Sequence, residues 1–183
     1  MQSLSSQSPP IPSRRRALAA LAASAAGIAA ASFSRAQEPA MAQKPSTTTH
    51  QNLTAIHYEI DFKAAPQRFY QAILDQKQFA AFTGLPATID PTPGGAFSMF
   101  GGLITGRNVE LVPNPSPNLR IVQAWRPGHW DPGIYSIVRF ELKPRGEELT
   151  LIFDHTGFPA GEYDHLDFGW HSHYWEPLKK YFA

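Results

Sequence analysis

The chain has 183 residues, 43% hydrophobic, 17% charged and 12% aromatic, with a formal charge of +1 and no cysteine. That mix fits about one globular domain with large rings in its core, and the missing cysteine excludes disulfides, thiolate metal sites and a cysteine nucleophile. Arg14, Arg15, Arg16 and Arg35 are the charges of the first 36 residues, so the remainder holds twelve basic against fifteen acidic residues, a net of −3, which excludes the basic footprint of a nucleic-acid binder.

Residues 1–36 read as an export leader: a basic start, an apolar middle and a small-residue cleavage site. The run Ser13-Arg14-Arg15-Arg16-Ala17-Leu18 resembles the twin-arginine motif. The alanine-rich stretch 17–33 falls short of the roughly 20 apolar residues of a membrane span. Cleavage is expected after Ala36, with Ala42 the second choice, delivering the chain to the periplasm or beyond. Membrane contact is expected only through the uncleaved leader. Residues 37–52 are poor in large apolar groups and read as a flexible tether.

The folded domain is expected over 53–183. Ile56, Tyr58, Ile60 and Phe62 alternate with polar or small residues, the period of a half-buried strand. Pro66 suits a first helical turn, and Phe69, Tyr70, Ile73 and Leu74 recur at helical spacing. A second short helix over 77–82 stops at Gly84. A run of strands follows: one with Phe97 and Met99 on a shared face, one with Val109 and Leu111, one with Leu119, Ile121 and Trp125, and two more over 136–142 and 149–155. The turn "PNPSPN" and the loop "RPGHWDPG" interrupt them. Sequential strands with short links pair antiparallel. A helix over 163–182 is the obvious cover for their apolar face.

On a helical wheel, Tyr163, Leu166, Trp170, Tyr174, Pro177 and Tyr181 share one side, the side expected on the sheet. Phe168, His171, Trp175 and Phe182 fall on the far side, which makes Phe168, Trp175 and Phe182 a candidate partner surface. Pro177 is expected to remove the bond to the His173 carbonyl and kink the helix. His171 and His173 are two apart and diverge, whereas chelating histidines sit at i,i+4, so no metal is expected.

The stretches "APQRFYQAILDQKQFAAFTG", "ATIDPTPGGAFSMFGGLITGRNVELVPN", "RIVQAWRPGHWDPGIYSIVRFEL", "LTLIFDHTGFP" and "GWHSHYWEPLKKYF" resemble, in order, the SRPBCC (START-like, helix-grip) superfamily. The similar branch is that of the C-terminal domain of the heat-shock-protein-90 ATPase activator. The resemblance implies an α+β fold: a curved antiparallel sheet wrapped around a long C-terminal helix, two short helices after the first strand, and a cavity between sheet and helix. Relatives include lipid carriers, aromatic cyclases and co-chaperones.

Three readings stay open. The first is a non-enzymatic exported protein that holds a small hydrophobic or aromatic molecule in a cavity lined by Phe97, Met99, Trp125, Phe153, His155, Trp170 and Tyr174. The second is a protein-interaction or co-chaperone-like module, with a protein partner or a homodimer. An exported chain, however, would not meet a cytosolic ATP-dependent chaperone. The third is a cavity enzyme of cyclase or hydratase type using His155. No acid–base partner for His155 is identifiable, so no catalytic residue is assigned and the non-enzymatic readings are preferred. Neither a G-x-S-x-G elbow nor a phosphate loop is present, and no cofactor is expected.

Overall fold

A computed structural model describes residues 50–114 and 118–183. The expected leader (1–36), most of the expected tether (37–49) and the middle of the turn at 113–118 lie outside the described residues. Seven strands form one antiparallel sheet: β1 (Ala55–Phe62), β2 (Thr88–Ile89), β3 (Ala96–Met99), β4 (Ile104–Val112), β5 (Leu119–Pro127), β6 (Ser136–Arg145) and β7 (Glu148–Thr156). Their spatial order is β1-β7-β6-β5-β4-β3-β2. Consecutive strands are neighbours from β2 to β7, as short links require, and only β1 crosses to pair with β7.

Helices α1 (Pro66–Leu74) and α2 (Gln76–Thr83) fill the long connection from β1 to β2. Pro66 opens α1, and Asp75 caps α2 by accepting from the Lys77 and Gln78 amides at 3.0 and 2.9 Å. Gly84, at φ 72°, ends α2 in the left-handed conformation that glycine adopts without strain. The chain closes with α3 (Tyr163–Trp170), a π-helical turn (His171–Trp175) and α4 (Glu176–Phe182). This is the expected α+β helix-grip arrangement. His50–Asn52, the end of the expected tether, instead form a short 3-10 turn. It is held because the His50 ring packs on Tyr163 at 4.8 Å and His50 Nδ1 lies 2.9 Å from the Asp164 carboxylate.

The inward rows of the sheet build the core. Ile56, His155 and Val138 are cross-strand neighbours, as are Tyr58, Phe153 and Phe140. The outward rows carry charge: Asp154 sits between His57, at 2.7 Å, and the Arg139 guanidinium, at 2.6 Å. One expectation fails in β4. Val109 was to share a face with Leu111, but a bulge between Asn108 and Glu110 leaves Val109 exposed and turns Asn108 inward. Gly106 faces Trp125 across the sheet, and the Phe97 ring occupies the space where its Cβ would stand.

Candidate functional site: the aromatic interior and its helical cover

The seven expected cavity residues come together. Phe97, Met99, Trp125, Phe153, His155, Trp170 and Tyr174 are all buried. They pack against one another: Trp170 lies 4.4 Å from Phe153, 4.5 Å from Tyr174 and 4.8 Å from Trp125, between ring centroids. Phe97 meets Trp125 at 6.2 Å. The Tyr174 hydroxyl donates to Met99 Sδ at 3.5 Å. Burial pushes the Tyr174 phenol well above its usual range.

His155 is fixed by its neighbours. The Trp170 indole N–H, which can only donate, gives a hydrogen bond to His155 Nδ1 at 3.0 Å. The ring proton therefore sits on Nε2, which donates to Ser136 Oγ at 2.7 Å. Ser136 Oγ reaches the Trp125 carbonyl at 3.5 Å. Burial pushes the His155 pKa down to about 3, because a charged imidazole here would lose its water without gaining an anion. Both ring nitrogens are thus occupied, and no carboxylate among the described residues bonds to the ring. The arrangement orients the ring; it supplies no acid–base pair.

A second buried polar chain was missed in the sequence. Trp125 Nε1 donates to Gln123 Oε1 at 2.9 Å, Gln123 Nε2 to Asn108 Oδ1 at 2.8 Å, and Asn108 Nδ2 to the Asp90 carbonyl at 2.8 Å. The signal was available: Gln123 occupies an inward position of the alternation Leu119, Ile121, Gln123, Trp125.

The expected partner surface is corrected. Phe168 is 66% exposed, but Trp175 and Phe182 are 2% and 4% exposed and belong to the core. The cause is the π turn. The Glu176 amide donates to the His171 carbonyl, five residues back rather than four. One extra residue advances the buried face, so Trp170 is followed inward by Trp175, Leu178 and Phe182 instead of Pro177 and Tyr181. Trp170 and Trp175 stack, 5.4 Å apart and 16° from parallel. Pro177 explains the location: it has no N–H for the His173 carbonyl and its ring crowds that oxygen, so a widened turn just ahead of it loses little.

Helix α3 is held from three sides. Glu162, just before it, pairs with His129 at 3.0 Å, Asp164 with His50, and Asp167 accepts from the Tyr58 hydroxyl. Burial of Tyr58, followed by the nearby Asp167 charge, raises the phenol pKa. Burial alone would raise the Glu162 carboxyl, but the hydrogen-bonded His129 and its other neighbours, His165 among them, together outweigh it and the carboxyl lies below its ordinary value. Among the described residues, no three His, Asp or Glu side chains converge as a metal centre needs. None of the described helices is long and apolar enough to cross a membrane.

Comparison with known proteins gives a consistent picture. Residues 63–183 match the family model described as activator of Hsp90 ATPase homolog 1-like protein. An activator of 90 kDa heat shock protein ATPase homolog from Dictyostelium discoideum is 30% identical over 77% of the chain and 34% of its own length. A human homolog 1 of the same name is 31% identical over 67% of the chain and 35% of its length. The chain therefore spans about a third of the curated relatives it matches. Among solved structures, an HSP90 activator from Plasmodium falciparum superposes with a TM-score of 0.65 at 22% identity, covering 70% of this chain and 95% of that one. An Aha1 dimer from Colwellia psychrerythraea gives 0.52 at 17% identity, covering 65% and 89%. These two likenesses concern the fold.

Proposed function

Because the chain belongs to the activator of Hsp90 ATPase homolog 1-like family, we propose that it is an exported, non-enzymatic binding module that acts on a protein partner through its surface. One observation carries the proposal: the interior is occupied by its own rings, and its buried histidine is spent on Trp170 and Ser136. Recognition is then left to the outside. Relatives named as activators of a chaperone ATPase support a protein partner. The twin-arginine-like stretch supports a partner in the cell envelope, away from cytosolic ATP.

The contact surface is the end of the sheet where the β3–β4 turn meets the β5–β6 loop. The Gly128 amide donates to the Leu103 carbonyl at 2.8 Å and ties the two segments together. Leu103 is 68% exposed and Tyr135 51%. Exposed apolar groups gathered at loops are typical of contact sites. The test is crosslinking in the exporting cell followed by purification of the mature chain. Leu103→Asp and Tyr135→Asp are expected to abolish a specific heteromeric crosslink and leave the unfolding midpoint unchanged. A crosslink that survives both substitutions refutes this surface.

A second reading has one observation in its favour. The Trp175 indole N–H is buried with no hydrogen-bond partner among the described residues, and a carbonyl or ether oxygen of a small apolar molecule held between sheet and helix would complete it. Native mass spectrometry of the periplasmic protein separates the readings. A defined small-molecule adduct lost in Trp175→Phe favours carriage; a mass equal to the polypeptide favours the protein-binding reading.

A further inference from the structure

The sheet ends in two unequal edges. Strand β2 has two residues, short enough to resist pairing. Strand β1 runs for eight residues and lies against β7 in one register without a bulge. The Gly157 amide donates to the Thr54 carbonyl at 2.9 Å. These two residues stand opposite each other one step before Ala55 and Thr156, so their bond fixes the phase of the ladder. Ile56, Tyr58, Ile60 and Phe62 exchange bonds with β7, and Ala55, His57, Glu59 and Asp61 point their N–H and C=O groups away from it. Among the described residues, no other backbone group bonds to that outward row. The strand carries neither lysine nor proline, two of the devices with which edges refuse a partner.

The apolar row of β1 is also incomplete. In the neighbouring strands Phe140, Leu151 and Phe153 are 0% exposed, whereas Tyr58 and Ile60 are only partly buried against the core.

We propose that β1 pairs antiparallel with β1 of a second copy of this chain, across a twofold axis beside Tyr58, so that two sheets become one. With Tyr58 opposite its counterpart, Ala55 opposes Asp61 and His57 opposes Glu59, each twice by symmetry. All four outward residues then find backbone partners. On the apolar face Ile56 meets Ile60 and the two Tyr58 rings meet, which covers the row that one copy leaves partly open. The charges select this register. A shift of one bonded pair in one direction sets Glu59 against Glu59, and like charges directly opposite are destabilising. A shift in the other sets His57 against itself and leaves Asp61 beyond the end of the facing strand. Asp61 is no obstacle in the chosen register, because Arg145 and Thr150 already engage its carboxylate and its neighbour across the axis is alanine.

The experiment is sedimentation equilibrium of the purified full chain from micromolar to millimolar concentration, with amide hydrogen exchange by NMR at both ends of that range. The mass is expected to rise from one chain to two. The His57, Glu59 and Asp61 amides should exchange freely in the dilute sample and become protected in the concentrated one, while the Tyr58 and Ile60 amides are protected in both. Glu59→Lys, at an exposed position, should weaken the dimer about tenfold by setting a cation against His57 and leave the monomer's unfolding midpoint unchanged. His57→Lys, which keeps a cation beside Asp154 and sets it against Glu59 of the second copy, should tighten the dimer. A mass of one chain throughout overturns the proposal. So does a dimer whose outward amides stay unprotected, which would use another surface, or protection of those amides at every concentration, which would mean that the chain covers its own edge. Association unmoved by both substitutions overturns the register.

Discussion

His155 shows how far one residue's meaning depends on its neighbours. Its place at the end of an alternating strand was readable, and so was its inward direction. Its role was not, because the two groups that occupy it, Trp170 and Ser136, come from other elements. The consequence is a pH effect with a definite sign. The folded imidazole titrates near 3 and the unfolded one near 6.5, so below about pH 6.5 the unfolded chain binds a proton that the folded chain refuses. Stability is expected to fall on acidification from about pH 6.5, by on the order of 1 kcal/mol per pH unit. Denaturant midpoints at pH 7 and 5 check this, and His155→Gln, which can still donate and accept, should flatten the slope. Gly106 gives a second residue-scale prediction. A Cβ there would stand 2.0 Å from the Ala124 carbonyl oxygen and 2.3 Å from Phe97 Cζ. Gly106→Ala should cost about 1–3 kcal/mol in chemical denaturation, as overpacking does.

At the scale of the element, the C-terminal helix separates what a period reveals from what it hides. The extent of the helix, its burial against the sheet and the inward positions of Leu166, Trp170 and Tyr174 all followed from a 100° wheel. The second half did not, because the wheel assumes uniform turns. One clue was present. Leu178, an aliphatic residue between Pro177 and Lys179, found no place on the predicted stripe, and the buried spacing Trp170, Trp175, Leu178, Phe182 contains a step of five. The val-to-asparagine swap in β4 has the same cause: an inserted residue breaks the alternation after Asn108. The π turn also makes a sharp prediction. Deleting Ser172 would restore an ordinary α-helix with Trp175 and the residues after it still facing the sheet, and cooperative unfolding should persist. Deleting the exposed Lys179 instead turns Phe182 away from Phe62 and Phe69, now 6.2 and 5.9 Å from it, and should cost several kcal/mol, comparable to removing a buried aromatic.

For the whole molecule, the fold was legible because every level agreed: alternation, helix starts, turn residues and an ordered set of family motifs point to one architecture. Function was less legible because this fold serves many purposes and the interior reads equally well as cavity wall or as core until distances are known. The leader is the strongest whole-chain statement left to test. Arg14→Lys together with Arg15→Lys should hold the protein in the cytoplasm at its full mass. The unaltered chain should appear in the periplasm beginning at Gln37, or at Gln43 if the second site is used. Cell fractionation with N-terminal sequencing decides it.

The bond from Trp170 to His155 runs from cover to sheet and is buried along its whole length. Its indole proton can meet solvent only when the helix lifts. That single proton is therefore a clock: its rate of exchange with deuterium counts openings of the interior, one lost resonance at a time. A slow clock would describe a protein whose inside is permanent structure. A clock that runs far ahead of global unfolding would describe one whose inside is visited.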